Sequence, residues 1–196
     1  MTTTSQSVLM FAEPASTSSQ ATQYSLASAL LHWVMAAFIV AGFGLGVTLS
    51  AMPLSPTKFR YIAWHKWIGI TVLGLLALRL LSRLLTRAPA LPKTMSSLMR
   101  RLASATHLTL YGLMFAVPLT GWAMSSAYGI SVVYLKFFRL PELLVPNPAL
   151  AGQLRLVHAR LAWTMAAAVL GHIAAALKHH FLDRDGLLSR LAVFGR

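Results

Sequence analysis

Four long apolar stretches, at about residues 25–50, 59–86, 96–127 and 150–182, alternate with short polar breaks marked by proline and basic residues. Each exceeds the roughly 20 residues that a helix needs to cross a hydrocarbon core. The pattern predicts an all-α fold: a polytopic membrane protein whose residues 25–193 form one four-helix transmembrane bundle. Pro53 and Pro56 mark the turn after the first span, and a basic, proline-containing loop up to about Met95 separates the second from the third. Pro118 predicts a kink in the third span. The longer connection at 128–149 has an aromatic part, Tyr128 to Phe138, of interfacial character, and is broken up by Pro141, Pro146 and Pro148. Residues 1–24 are rich in Ser, Thr, Ala and Gln and hold no Lys or Arg, which predicts a disordered tail. They make a poor signal peptide, with no basic start and an apolar run, Val8–Ala12, that is too short.

Composition agrees with the pattern. The chain is 57% hydrophobic and 11% charged, with a mean hydropathy of +0.65, against about 25% charged in soluble domains. A net charge of +13 would suggest nucleic acid in a soluble protein. Here the bases lie between and at the ends of the apolar stretches, so they report topology and contact with anionic lipid instead. Ten of them flank the loop between spans two and three or follow span four, and seven lie on the opposite side. That bias predicts both termini in the cytoplasm. With no cysteine, disulfides, thiolate clusters and the C-x-x-C-H attachment of c-type haem are excluded.

An ionisable residue inside a membrane is costly and marks a functional site. Five of seven histidines fall inside spans: His32, His65, His107, His158 and His172. His158 and His172 are fourteen residues apart, about 1400° of helical rotation, so they share a face about 21 Å apart along the axis. With the predicted orientation, His65 and His158 lie at an outer level and His32 and His172 at an inner one. Two stacked bis-histidine pairs suit two b-type haems, whose iron, with both axial positions filled, passes electrons. On depth alone His107 also competes with His32 as partner to His172. Arg79, fourteen residues after His65, is placed to meet a haem propionate. Gly46, fourteen after His32, and Gly121, fourteen after His107, would admit a flat ligand; close helix packing explains Gly42, Gly44 and Gly46 equally well. A zinc site would need all-histidine ligation at one depth. A proton pathway would want carboxylates within the spans, and Glu13, Glu142, Asp183 and Asp185 all lie outside them. His179 and His180, beside Lys178, read as a solvated basic end, with a propionate or headgroup contact as the alternative for His179.

The segments YSLASALLHW around His32, WHKWIGITVLGLLALRLLSRL from Trp64, HLTLYGLMFAVPLTGW from His107 and LVHARLAWTMAAAVLGHIAAALKHHFLDRDGLLSRL from Leu156 together resemble the bacterial cytochrome b561 family of di-haem membrane proteins. The resemblance covers about residues 24–193. It implies ligands from spans one, two and four, hence His32 with His172 and His65 with His158, and leaves His107 beside a propionate or quinone. It also implies a multi-pass protein of the bacterial inner membrane that passes electrons between a periplasmic donor, such as superoxide, and ubiquinone. The alternative is a haem-carrying anchor subunit of a periplasmic dehydrogenase or hydrogenase, without turnover of its own. A haem-free transporter is the remaining reading. No catalytic residue is assigned.

Overall fold

The structure, a computed structural model, describes residues 25–85, 96–186 and 188–189. The predicted tail 1–24, the loop with Arg87 and Lys93, and Arg190 and Arg196 lie outside the described residues. Four helices account for most of the rest: α1 (Leu26–Ala51), α2 (Pro56–Leu85), α3 (Ser97–Ala127) and α4 (Pro148–Lys178). All four are long and apolar enough to cross a membrane. They run up and down in sequence, α1 against α2, α2 against α3 and α3 against α4.

Two prolines expected as breakers act as starters. Asn147 caps α4, its Oδ1 accepting from the Leu150 N–H at 3.0 Å, and Pro148 is the first helical residue. Likewise the Ser55 hydroxyl accepts from the Lys58 N–H at 3.2 Å and Pro56 opens α2. Proline suits this position because its missing N–H would be unpaired there anyway and its φ is already helical. Hydropathy alone therefore starts α2 three residues and α4 two residues late. Helix α3 runs through Pro118 without a break.

The 128–149 connection contains a small antiparallel hairpin, β1 (Val133–Tyr134) with β2 (Phe138–Arg139), that the apolar pattern did not predict. Leu135 and Lys136 turn it with φ of 50° and 68°. Side chains from α2 tie it down: the Trp67 indole donates to the Val133 carbonyl at 2.8 Å, and the Thr71 and Tyr134 hydroxyls are 2.9 Å apart.

The buried core is a plug of Met35, Val72, Leu76, Leu113, Met114, Val117 and Met165. Met165 is equidistant in sequence from His158 and His172, and Val72 from His65 and Arg79. The plug thus sits at mid-depth, between two histidine levels. Large apolar side chains such as Val40, Leu108 and Leu170 face outward on the helix surfaces, as lipid contact requires.

Candidate functional site

At the hairpin end of the bundle, His65 of α2 and His158 of α4 face each other with ring centres 6.0 Å apart and planes at 87°. At the other end, His32 of α1 and His172 of α4 stand 6.3 Å apart at 63°. His107 of α3 is also there, 5.5 Å from His172. An imidazole nitrogen sits about 2.0–2.1 Å from a first-row metal such as zinc. Adding the ring radius on each side, two imidazoles on opposite faces of one metal have centres roughly 6.3 Å apart. The His65/His158 and His32/His172 pairs stand near this spacing, and His107 and His172 are 5.5 Å apart. This cluster thus contains both partners for His172 that spacing along the chain had left open.

Backbone and glycine contacts shape the hairpin-side pair. The His158 Nδ1 lies 2.9 Å from the Val117 carbonyl, which accepts its proton. The Thr120 hydroxyl donates to the Ala116 and Val117 carbonyls, 2.8 Å each, and lies 3.4 Å from the same ring nitrogen. A proton on Nδ1 leaves the Nε2 lone pair for a metal, the usual arrangement of a ligating histidine. The Nδ1 of His65 is buried and has no hydrogen-bond partner among the described residues. That edge of the ring faces α1, beside the Gly42 backbone and Gly46, as the same edge of His158 faces α3.

The glycines divide by role. A Cβ at Gly121 would lie 3.0 Å from His158 Cε1, and one at Gly46 would lie 3.2 Å from His65 Cε1. Both glycines make room for the imidazole rings themselves. A Cβ at Gly42 would meet Ile68 at 2.9 Å, so that glycine serves the packing of α1 on α2; at Gly44 nothing lies within 4 Å. An open groove of about 220 Å³ runs past His65 and His158 and is walled by Gly42, Gly46, Met114 and Pro118. Its lining is overwhelmingly apolar. Paired imidazoles on a flat, greasy groove fit haem b.

Arg79 reaches the level of His32 and His172, where its guanidinium donates to the Ser28 carbonyl at 3.2 Å. That bond joins α2 to α1 beside His32. His179 differs from the solvated end expected of it. Its Nδ1 lies 2.7 Å from Asp185 and 3.1 Å from Asp183, while Lys178 reaches both oxygens of Asp183, at 2.9 and 2.6 Å. These four side chains close α4 through a π-helical turn, His179–Asp183. The three potential ligand atoms lie within 4.8 Å of one another, but the ammonium of Lys178 already neutralises Asp183.

At the hairpin end, three of the basic residues are engaged locally. Lys58 donates to the Met52 carbonyl at the end of α1 at 2.6 Å, Lys66 donates to the Ser125 hydroxyl at 2.6 Å, and Arg139 pairs with Glu142 at 3.6 Å. Arg60, Arg155 and Arg160 are exposed. The Lys66–Ser125 link and the Val117 carbonyl were invisible to spacing arguments, since serines and backbone acceptors occur in any span.

The family model for prokaryotic cytochrome b561 matches residues 23–192. The chain is 32% identical over 176 residues to "Cytochrome b561 homolog 2" of Escherichia coli (strain K12), covering 86% of this chain and 90% of that protein. It is 27% identical to "Cytochrome b561 homolog 1" of the same organism, over 86% and 96% of the two chains. To the "Probable superoxide oxidase CybB" of Yersinia pestis it is 28% identical, over 86% and 95%.

Proposed function

The chain belongs to the prokaryotic cytochrome b561 family of haem b electron-transfer proteins of the membrane, and from that premise we propose that it holds two haems, on His65/His158 and His32/His172, and passes electrons from a donor at the hairpin end to membrane ubiquinone. The observation that carries this reading is the pair of imidazole separations, 6.0 and 6.3 Å, on either side of an apolar plug. Haem b, when bound, supplies a one-electron couple at each level. The residues do the rest. Val117 orients His158, Gly46 and Gly121 leave space for the ligand rings, and the plug keeps water from the middle of the path. Arg79 is half-buried beside His32 and His172, where a haem carboxylate would gain a charge-assisted bond. His107 has no metal to bind in this scheme and borders the inner haem.

The donor we infer is a small anion, superoxide being the one that a relative's name suggests. The hairpin end then faces the periplasm of a bacterium, with the termini in the cytoplasm, as the Lys/Arg bias favours. Arg155 and Arg160 flank His158 in sequence and are exposed; a basic mouth raises the local concentration of an anion and speeds its encounter.

The decisive experiment is a reduced-minus-oxidised spectrum of the purified protein in detergent, with haem quantified per chain. Two low-spin b haems per chain are expected. One haem would mean that one pair is misassigned, and none would end the redox reading. Turnover of superoxide and quinone by the isolated protein would then separate a self-sufficient oxidoreductase from an anchor subunit, which needs its partner.

A further inference from the structure

The hairpin carries exposed apolar side chains that electron transfer leaves unused. Phe137 is 83% exposed and Phe138 69%, with Leu135 also exposed beside Lys136 and Arg139. Its depth is fixed by its bonds to α2. Trp67, which holds the Val133 carbonyl, lies two residues past His65, about 3 Å further along the helix axis. Thr71, which meets the Tyr134 hydroxyl, lies six residues past His65, about 9 Å along. The hairpin backbone is therefore level with the His65/His158 pair, and Tyr134 points deeper still.

The charge pattern at this level says what surrounds it. Lys66 on α2, Arg155 and Arg160 on α4, and Lys136 and Arg139 on the hairpin gather near one depth. Toward the core from there, residues 68–78 of α2 and 161–177 of α4 contain no Lys, Arg, Asp or Glu. The hydrocarbon thus begins just inside the level of the hairpin. Aromatic side chains mixed with Lys and Arg are the composition of a membrane interface, where rings sit at headgroup depth and basic groups meet phosphates.

We propose that the hairpin is a collar seated in lipid: Leu135, Phe137 and Phe138 rest on the acyl border of the leaflet at this end, and Lys136 and Arg139 meet its phosphates. The His65/His158 level then lies in the headgroup layer rather than in hydrocarbon. A donor arriving from water need not enter the membrane to come near it. The collar stands whether or not haem is bound, since it rests on hairpin depth and charge alone.

The chain contains no cysteine, so one introduced thiol labels one position. Phe137→Cys would carry an environment-sensitive fluorophore in vesicles of phosphatidylcholine with a minority of phosphatidylglycerol. Val145→Cys, 81% exposed in the connection leading to α4, is the control. At position 137 a nitroxide on a lipid headgroup or high on its acyl chain should quench several-fold more than aqueous iodide, and at 145 the order should reverse. Iodide quenching at 137 equal to that at 145 would overturn the collar. So would quenching by neither agent, which would mean protein covers the tip. Strongest quenching by a nitroxide deep in the acyl chain would overturn the headgroup-layer placement. Lys136→Cys repeats the test at the same turn if the Phe137 variant does not fold.

Discussion

Gly121, Gly46 and Gly44 differ by one methyl group's worth of space, and that difference is measurable. In Gly121→Ala the added carbon would lie 3.0 Å from the His158 ring, which the Val117 carbonyl holds in place. The ring cannot swing away without losing that bond. Haem content should fall from two toward one per chain, measured as the pyridine derivative against protein. Gly46→Ala, whose added carbon would lie 3.2 Å from His65, should lose less, because that contact is the looser of the two. Gly44→Ala has open space around it and should keep both haems while gaining up to about 1 kcal/mol of helix stability. The inner level has its own contrast. On the proposed pairing of His32 with His172, His32→Ala should remove one haem, whereas His107→Ala should retain two. The histidine positions themselves were legible in the sequence because a fourteen-residue interval is a rotation that any helix must obey. Spacing left the choice between His32 and His107 open, because a rotation along one helix says nothing about the lateral position of another, and only the family resemblance favoured His32.

Among the elements, the helices were legible and the hairpin was not. Apolar runs specify helices in lipid because backbone groups there must be satisfied within the segment. The hairpin turns on Leu135 and Lys136 with positive φ, without the Asn-Gly or Gly residues that announce such turns. It persists because α2 and the following loop hold it. Thr71→Val would remove the bond to Tyr134 and should cost about 1 kcal/mol, seen as a lower unfolding temperature with unchanged haem content. The following loop adds a pH dependence. The Ser131 and Ser126 hydroxyls, followed by Arg139, hold the Glu142 carboxyl below its ordinary value of 4.5. A depressed carboxyl contributes stability above its unfolded value and loses it as pH falls through the folded one. Amide exchange in residues around Glu142 should therefore accelerate as the buffer is taken below the usual carboxylate range. Glu142→Gln should remove that pH step. Because the Glu142 side chain is 37% exposed, the step should be small and shrink further with salt.

For the whole molecule, direction matters as much as distance. Four helices with two histidine levels would conduct equally well either way up, so the side on which the donor arrives depends on insertion. Insertion is governed by Lys and Arg in short loops near the span ends. The bias here, ten bases against seven, is slim, and four of the ten are Arg87 and Lys93 between spans two and three and Arg100 and Arg101 at the start of the third. Neutralising those four to Gln leaves six against seven and should yield a mixed population. A fluorescent reporter that matures only in the cytoplasm, fused to the C-terminus, should glow fully on the parent chain and lose a large part of its signal on the variant. Haem content should hold, because none of the four is among the residues proposed to hold haem. Neutralising Arg155 and Arg160 at the other end should leave orientation alone, since it strengthens the existing bias, and should instead slow reduction by superoxide and flatten its dependence on salt. These two sets of bases separate insertion from steering. An unchanged superoxide rate in the second variant would reduce Arg155 and Arg160 to headgroup partners, and an unchanged reporter signal in the first would mean that some other feature of the chain sets its direction.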